Sequence, residues 1–256
     1  MEMKGKTAVV TGAASGIGRA LARRFATEGA EHVVCVDLDE AGAHAVADEL
    51  GGVGMAADVS READLVRVID ATEEVGPIGL FCSNAGIGAG LDFASPDAEW
   101  QQSWDVNVMA HVYAARHLLP RMIARGGGYF LNTASAAGLL NQIGAAAYGV
   151  SKHAAVGLAE WLALTYAHQG IKVSLLCPQA VRTGMTGDSD ATAAAAVDGM
   201  LEPEDVADVV IDGLREERFL ILTHPEVHGY MQRKAGDYDR WIGGMNRLQQ
   251  RLAGED

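Results

Sequence analysis

Cysteine is scarce in this 256-residue chain. The three present, Cys35, Cys82 and Cys177, each sit in an apolar, strand-like run: VVCVD, LFCSN and SLLCP. An odd count without metal-like spacing argues against a disulfide framework and against a zinc site, and leaves buried thiols acting as small hydrophobes. Basic residues are short too. Twenty Lys and Arg stand against 34 Asp and Glu, a formal net charge of −14. They are scattered, so neither a phosphate backbone nor an anionic membrane meets a complementary patch. Nucleic acid and membrane are not expected partners. No apolar run reaches the roughly 18 residues of a membrane span. The N-terminus, MEMKGKTAVVTGAASG, has a basic start and a short apolar run, but a glycine-rich turn follows where a signal peptide has its cleavage site. The expected location is the cytoplasm. Fixed-period repeats and linker-like stretches are missing as well.

What the chain does have is an apolar fraction of 49%, enough for a large core. Short β-branched runs predict strands over 6–11, 32–37, 53–57, 79–83, 129–133, 172–177 and 219–222. Helical patterns fall between them, near 16–29, 40–50, 61–75, 97–125, 146–169 and 203–216. The alanine-biased 190–199 predicts a loop or short helix. This alternation predicts an α/β fold: a doubly wound, seven-stranded parallel sheet of Rossmann type with helices on both faces. We expect a single domain over 1–256, with a helical extension over about 225–252. Ligands in such sheets bind at the carboxyl ends of the strands, where strand order switches.

The first predicted strand runs into TGAASGIG, with Gly12, Ser15, Gly16, Ile17 and Gly18 in the turn and the helix start. Glycines there admit a tight turn and close approach of a diphosphate to backbone N–H groups, and the helix presents its positive end. Asp37 ends the second strand, 19 residues beyond Gly18. That offset suits a carboxylate meeting an adenosine ribose. A carboxylate accepts from the ribose diol and repels a 2′-phosphate. Leu38 follows it, and Ser15 stands where a basic residue would reach, so NAD is expected over NADP. The plainer alternative is an Asp that caps the next helix.

Tyr148 and Lys152 stand at i and i+4 in AAAYGVSKHAAV, on one helix face among small residues. Taken alone they are an ordinary surface pair. Taken with the TGxxxGIG turn, SNAG at 83–86, Asn107 in DVNVMAH, Ser135 in NTASAAG and YGVSK at 148–152, the chain resembles the short-chain dehydrogenase/reductase family from residue 5 to about 185. The resemblance implies catalytic roles for Asn107, Ser135, Tyr148 and Lys152. Tyr148 is the general acid/base, and Lys152 favours its phenolate and holds the nicotinamide ribose. Ser135 orients the substrate oxygen. Asn107 opens the helix ladder for a water that connects Lys152 to solvent. It implies further cofactor contacts from Asp58 and Val59, from Asn84, Ala85 and Gly86, and from Pro178, Val181 and Thr183. Asn84 has a structural alternative. It also implies a homodimer or homotetramer.

Two features depart from the family. Gln179 occupies the place of a glycine after Pro178, and Ser83 replaces an asparagine. The C-terminal part is also less familiar. Val227, Met231, Lys234, Tyr238, Trp241, Met245, Leu248 and Leu252 make a helix stripe, which reads as a docked core helix or as a lid or dimer surface. Gly236, Gly243 and Gly244 weaken that helix. Ala136, Ala137, Leu139, Leu140, Gln142 and Met185 are expected pocket walls, with loop 184–200 and the C-terminal region completing them. Their apolar character predicts a hydrophobic secondary alcohol or its ketone, aromatic, alicyclic or terpenoid. The expected activity is NAD-dependent hydride transfer. The alternatives are an NADP-dependent ketoreductase and a non-catalytic NAD(H)-binding sensor.

Overall fold

Each β-branched run becomes a strand in the computed structural model, which describes residues 1–90, 92–186 and 190–254. The strands are β1 (Thr7–Thr11), β2 (His32–Asp37), β3 (Val53–Ala56), β4 (Ile78–Ser83), β5 (Gly128–Thr133), β6 (Ile171–Cys177) and β7 (Leu220–Leu222). They form one sheet in the order β3-β2-β1-β4-β5-β6-β7, with every pairing parallel. Strand order reverses between β1 and β4, so their carboxyl ends open a crevice.

Alternate strand residues feed two cores. Val9, Phe81 and Phe130 point to one face. There they pack against Val68 of α3 (Glu62–Val75), Leu118 of α5 (Ala110–Ala124) and Leu162 of α7 (Ala146–Tyr166). Val10, Leu80 and Leu131 point to the other. There they meet Phe25 of α1 (Gly16–Thr27), Val46 of α2 (Glu40–Leu50) and Val210 of α9 (Pro203–Arg215). Burial on both sides is why these strands read as continuous apolar runs. All three cysteines are buried in strands, and burial pushes their thiols up, Cys35 to about 11 and Cys177 to about 12.

Three local differences from expectation matter for the site. The helix expected over 97–125 is α4 (Asp97–Trp104), a π turn over Asp105–Met109, then α5. A short helix, α6 (Ala137–Leu140), appears where none was expected. The segment 190–199, expected as a loop or short helix, contains the short helix α8 (Asp190–Ala195). The C-terminal stripe is two helices, α10 (Glu226–Gly236) and α11 (Tyr238–Leu252). The break falls at Asp237, whose backbone is extended and whose carboxylate accepts from the Arg240 N–H. Gly243 and Gly244 stay inside α11. No helix among the described residues is long and apolar enough to cross a membrane.

Candidate active site

The turn after β1 is built for close approach. Gly12 and Gly16 have positive φ, +69° and +51°. A Cβ on Gly18 would overlap the Gly12 carbonyl, and one on Gly16 would press on Thr183 at 3.0 Å. The α1 N-terminus, with Ser15 as N-cap, has no side-chain cap and no acid in its first turn. The open N–H groups of Gly16, Ile17 and Gly18 therefore suit an anion. Asp37 stands beside this turn. Its Oδ2 accepts from the Ala14 N–H at 2.9 Å and its Oδ1 from the Asp39 N–H at 3.0 Å. Asp39, not Asp37, caps α2. The capping alternative for Asp37 is thereby replaced by a carboxylate anchored on the glycine turn. Leu38 beside it is 76% exposed and uncharged. A glycine turn, an uncapped helix end and an acid at the second strand fit a dinucleotide.

Further along the sheet edge, Asp58 is held in its own turn, accepting from Ser60 N at 3.0 Å and from Ser60 Oγ at 2.6 Å, and Val59 is buried. Asn84 is committed to the framework. It donates Nδ2–H to the Thr11 carbonyl at 3.1 Å and accepts from Thr133 Oγ1 at 3.2 Å. Thr11 Oγ1 accepts from the Asn84 and Ala85 N–H groups at 2.9 and 3.0 Å. This network locks β1, β4 and β5 at their carboxyl ends and gives Asn84 a structural role. Gly86 sits where a Cβ would come within 3.2 Å of both Asn107 Oδ1 and Lys152 Nζ.

Ser135, Tyr148, Lys152 and Asn107 converge there. Asn107, buried in the π turn, clamps the Ile87 backbone: Oδ1 accepts from the Ile87 N–H and Nδ2 donates to the Ile87 carbonyl, each at 3.0 Å. Nδ2 also reaches Ser151 Oγ at 3.1 Å. The π turn falls where the resemblance implies an opened helix ladder. Lys152 is 3% exposed and donates to the Thr133 carbonyl at 3.2 Å. Burial pulls its ammonium down to about 8, so it still carries its charge at neutral pH. Its Nζ lies 5.6 Å from the centre of the Tyr148 ring. Burial raises the Tyr148 phenol, and a hydrogen bond with the Ser135 side chain works the other way. Desolvation is the larger of the two influences. Ser135 Oγ accepts from the Ala137 N–H at 3.1 Å and lies 3.4 Å from the Pro178 carbonyl.

The segment after β6 closes over the turn. Val181 is buried and bridges Leu201, and Thr183 packs on Gly16. Thr186 Oγ1 donates to the Val181 and Thr183 carbonyls. Of the expected pocket walls, Ala137 is buried and supports Ser135, Gln142 is half-buried, and Met185 is 51% exposed beside Gly88. Within loop 184–200, residues 187–189 lie outside the described residues.

Sequence reasoning missed Thr11, Thr133 and Ser151, which act through hydrogen bonds and carry no spacing signal. It also missed His111, one turn beyond Asn107. Burial and the Lys152 charge lower this imidazole to about 3, so it is neutral. No cluster of three or more metal-ligating side chains exists among the described residues.

The comparisons agree with this geometry. Residues 6–194 match the family model for short chain dehydrogenases. A 1-deoxy-11-beta-hydroxypentalenate dehydrogenase from Streptomyces exfoliatus is 37% identical, over 88% of this chain and 86% of its own length. Epidermal retinol dehydrogenase 2 from Mus musculus is 35% identical, over 85% of this chain and 73% of its own. The crystal structure of a short-chain dehydrogenase/reductase from Burkholderia phymatum in complex with NAD superposes with a TM-score of 0.85 at 32% identity, covering 93% of this chain and 96% of that one. The glycine turn, the Ser135–Tyr148–Lys152 cluster and these matches lead to one conclusion: the chain is an oxidoreductase that belongs to the short-chain dehydrogenase/reductase family.

Proposed function

We propose that the protein is an NAD-dependent oxidoreductase that moves a hydride between a hydrophobic secondary alcohol and its ketone. The observation that carries this reading is the convergence of Ser135, Tyr148 and Lys152 at the crevice whose far end holds Asp37. A bound nicotinamide supplies or accepts the hydride. The chain's own residues handle the proton and the orientation. Ser135 Oγ holds the substrate oxygen beside the phenol. Tyr148 donates its proton to a ketone oxygen in reduction and takes one from the alcohol in oxidation. The raised phenol suits the first task as it stands. For the second, Lys152 and a positive charge on the cofactor ring must together outweigh desolvation. Lys152 also has donors left for a ribose diol, and Asn107 holds the Ile87 backbone against it.

Asp37 supports NAD over NADP, because a 2′-phosphate there would meet a carboxylate with no base in the adjoining position. Small and apolar surroundings near Ser135, with relatives that act on a hydroxypentalenate and on retinol, support an apolar alcohol. Trp161, 54% exposed, and Leu164, 84% exposed, on the outer side of α7 support self-association as a homodimer or homotetramer. The test of the cofactor is turnover with NAD and NADP side by side. We expect kcat/KM at least about tenfold higher with NAD, a difference of ~1.4 kcal/mol. Equal or greater turnover with NADP refutes the assignment of Asp37.

A further inference from the structure

Gln179, which departs from the family, has an unusual reach. Its backbone N–H points to Thr223 Oγ1 at 3.4 Å. Its side-chain Nε2 donates to Asp198 Oδ2 at 3.0 Å. The second Asp198 oxygen, Oδ1, accepts from the Tyr230 hydroxyl at 2.8 Å. Tyr230 belongs to α10. One turn further along the same helix face, Lys234 Nζ donates to the Leu139 carbonyl at 2.7 Å. Leu139 lies in α6, immediately after Ser135. The Pro178 carbonyl, next to Gln179, accepts from the Ala136 N–H at 2.8 Å. One face of α10 thus holds both segments that leave the catalytic end of the sheet: α6, issuing from β5, and the segment after β6.

We infer that α10 is a clasp that sets the width of the alcohol cleft, with Tyr230, Asp198, Gln179 and Lys234 as positioning residues that determine the size of substrate admitted. A glycine at position 179 has no side chain to reach Asp198, so the first link exists only because of the departure. The link is polar and partly buried. Tyr230 is its donor, and both burial and the Asp198 carboxylate raise the phenol, so the link persists at neutral pH. Lys234 spends its hydrogen bond on a backbone carbonyl and not on a carboxylate, which fixes α6 without a competing ion pair. None of these side chains touches the proton path through Tyr148 and Lys152. Their effect falls on which alcohol fits, and not on the rate of proton transfer.

The inference rests on the alcohol-dehydrogenase reading for its consequence, but the clasp has a readout of its own. Tyr230→Phe removes one hydroxyl and keeps the ring, which stacks near Trp241 at 6.4 Å between centroids. In hydrogen–deuterium exchange by mass spectrometry on the full chain, we expect Tyr230→Phe and Lys234→Met each to speed exchange at least fivefold in both segments, 139–141 and 199–201. These segments are far apart in sequence, and α10 holds a residue of each region. With NAD and a series of secondary alcohols of rising ring count, we expect kcat and the KM for NAD to stay within about threefold of wild type. The ratio of kcat/KM for the bulkiest to the most compact alcohol should rise about tenfold. Faster exchange confined to the segment next to each substitution, or KM values that rise by one common factor for every alcohol, overturns the clasp. Coupled exchange without turnover of any alcohol by wild type keeps the clasp and overturns the substrate reading instead.

Discussion

At the scale of single residues, the site holds charge where charge is costly. Lys152 is buried with a backbone carbonyl as its acceptor, and its ammonium is pulled down to about 8. The folded value lies below the unfolded one. Stability is therefore greatest above the unfolded value of 10.5 and is lost as pH falls through 8, so at pH 7 the folded chain bears the full cost, about 3 kcal/mol. Lys152→Met removes that charge and leaves the Thr133 carbonyl short of a donor, which takes back about 1 kcal/mol. We expect the variant to unfold at higher denaturant concentration than wild type at pH 7 while losing nearly all turnover. A less stable Lys152→Met would contradict the account of the site as a place where function is held against stability. The motif residues themselves were legible because each belongs to a spaced pattern. Thr11 and Thr133 were not, because a threonine at a strand end looks like any other β-branched residue. Their role appears only when Asn84 is seen spending its amide on both.

At the scale of elements, strand after strand was legible from continuous apolar runs, since a sheet covered on both faces leaves no alternation to misread. The helix over 40–50 was legible in its bounds, but its cap was not: Asp39 caps α2, and Asp37 was the capping alternative the sequence offered. The π turn over Asp105–Met109 was legible only through the resemblance, which places an opened helix ladder at Asn107. Nothing in the apolar spacing marks its bounds, and Asn107 within it fastens on the Ile87 backbone. Helix α6 was hidden for a different reason. Four residues are too few to show a period, and its polar anchors, Lys234 and Ser135, come from outside it. The Rossmann-type core was thus readable from local pattern, while the walls of the pocket depend on contacts between α10, α6 and the segment after β6, which no local pattern encodes. Gln179 was noticed as a departure, but its partner Asp198 and the tyrosine behind that partner lie 19 and 51 residues away in the chain.

At the scale of the whole molecule, acid is the expected weakness, and its onset belongs to His111. The imidazole is neutral in the core and lowered to about 3 from an ordinary 6.5. A folded value below the unfolded one means that stability is full above pH 6.5 and is lost as pH falls toward 3, by ~1.4 kcal/mol per pH unit. Urea unfolding at pH 6.5 and pH 5 should show this loss in wild type, and His111→Leu should show about 2 kcal/mol less of it. An identical pH response in both proteins would place the acid sensitivity elsewhere. The central claim, that this acidic α/β molecule assembles one proton-transfer centre beside a site for NAD, is tested most directly by absorbance at the reduced-nicotinamide band. The purified protein is mixed with NAD and a panel of apolar secondary alcohols, with Tyr148→Phe run in parallel and NAD binding measured for both. Turnover by wild type that falls at least about 1,000-fold in the variant, with NAD binding unchanged, is the predicted result. Turnover that survives Tyr148→Phe, or NAD bound without turnover of any alcohol by wild type, would contradict it.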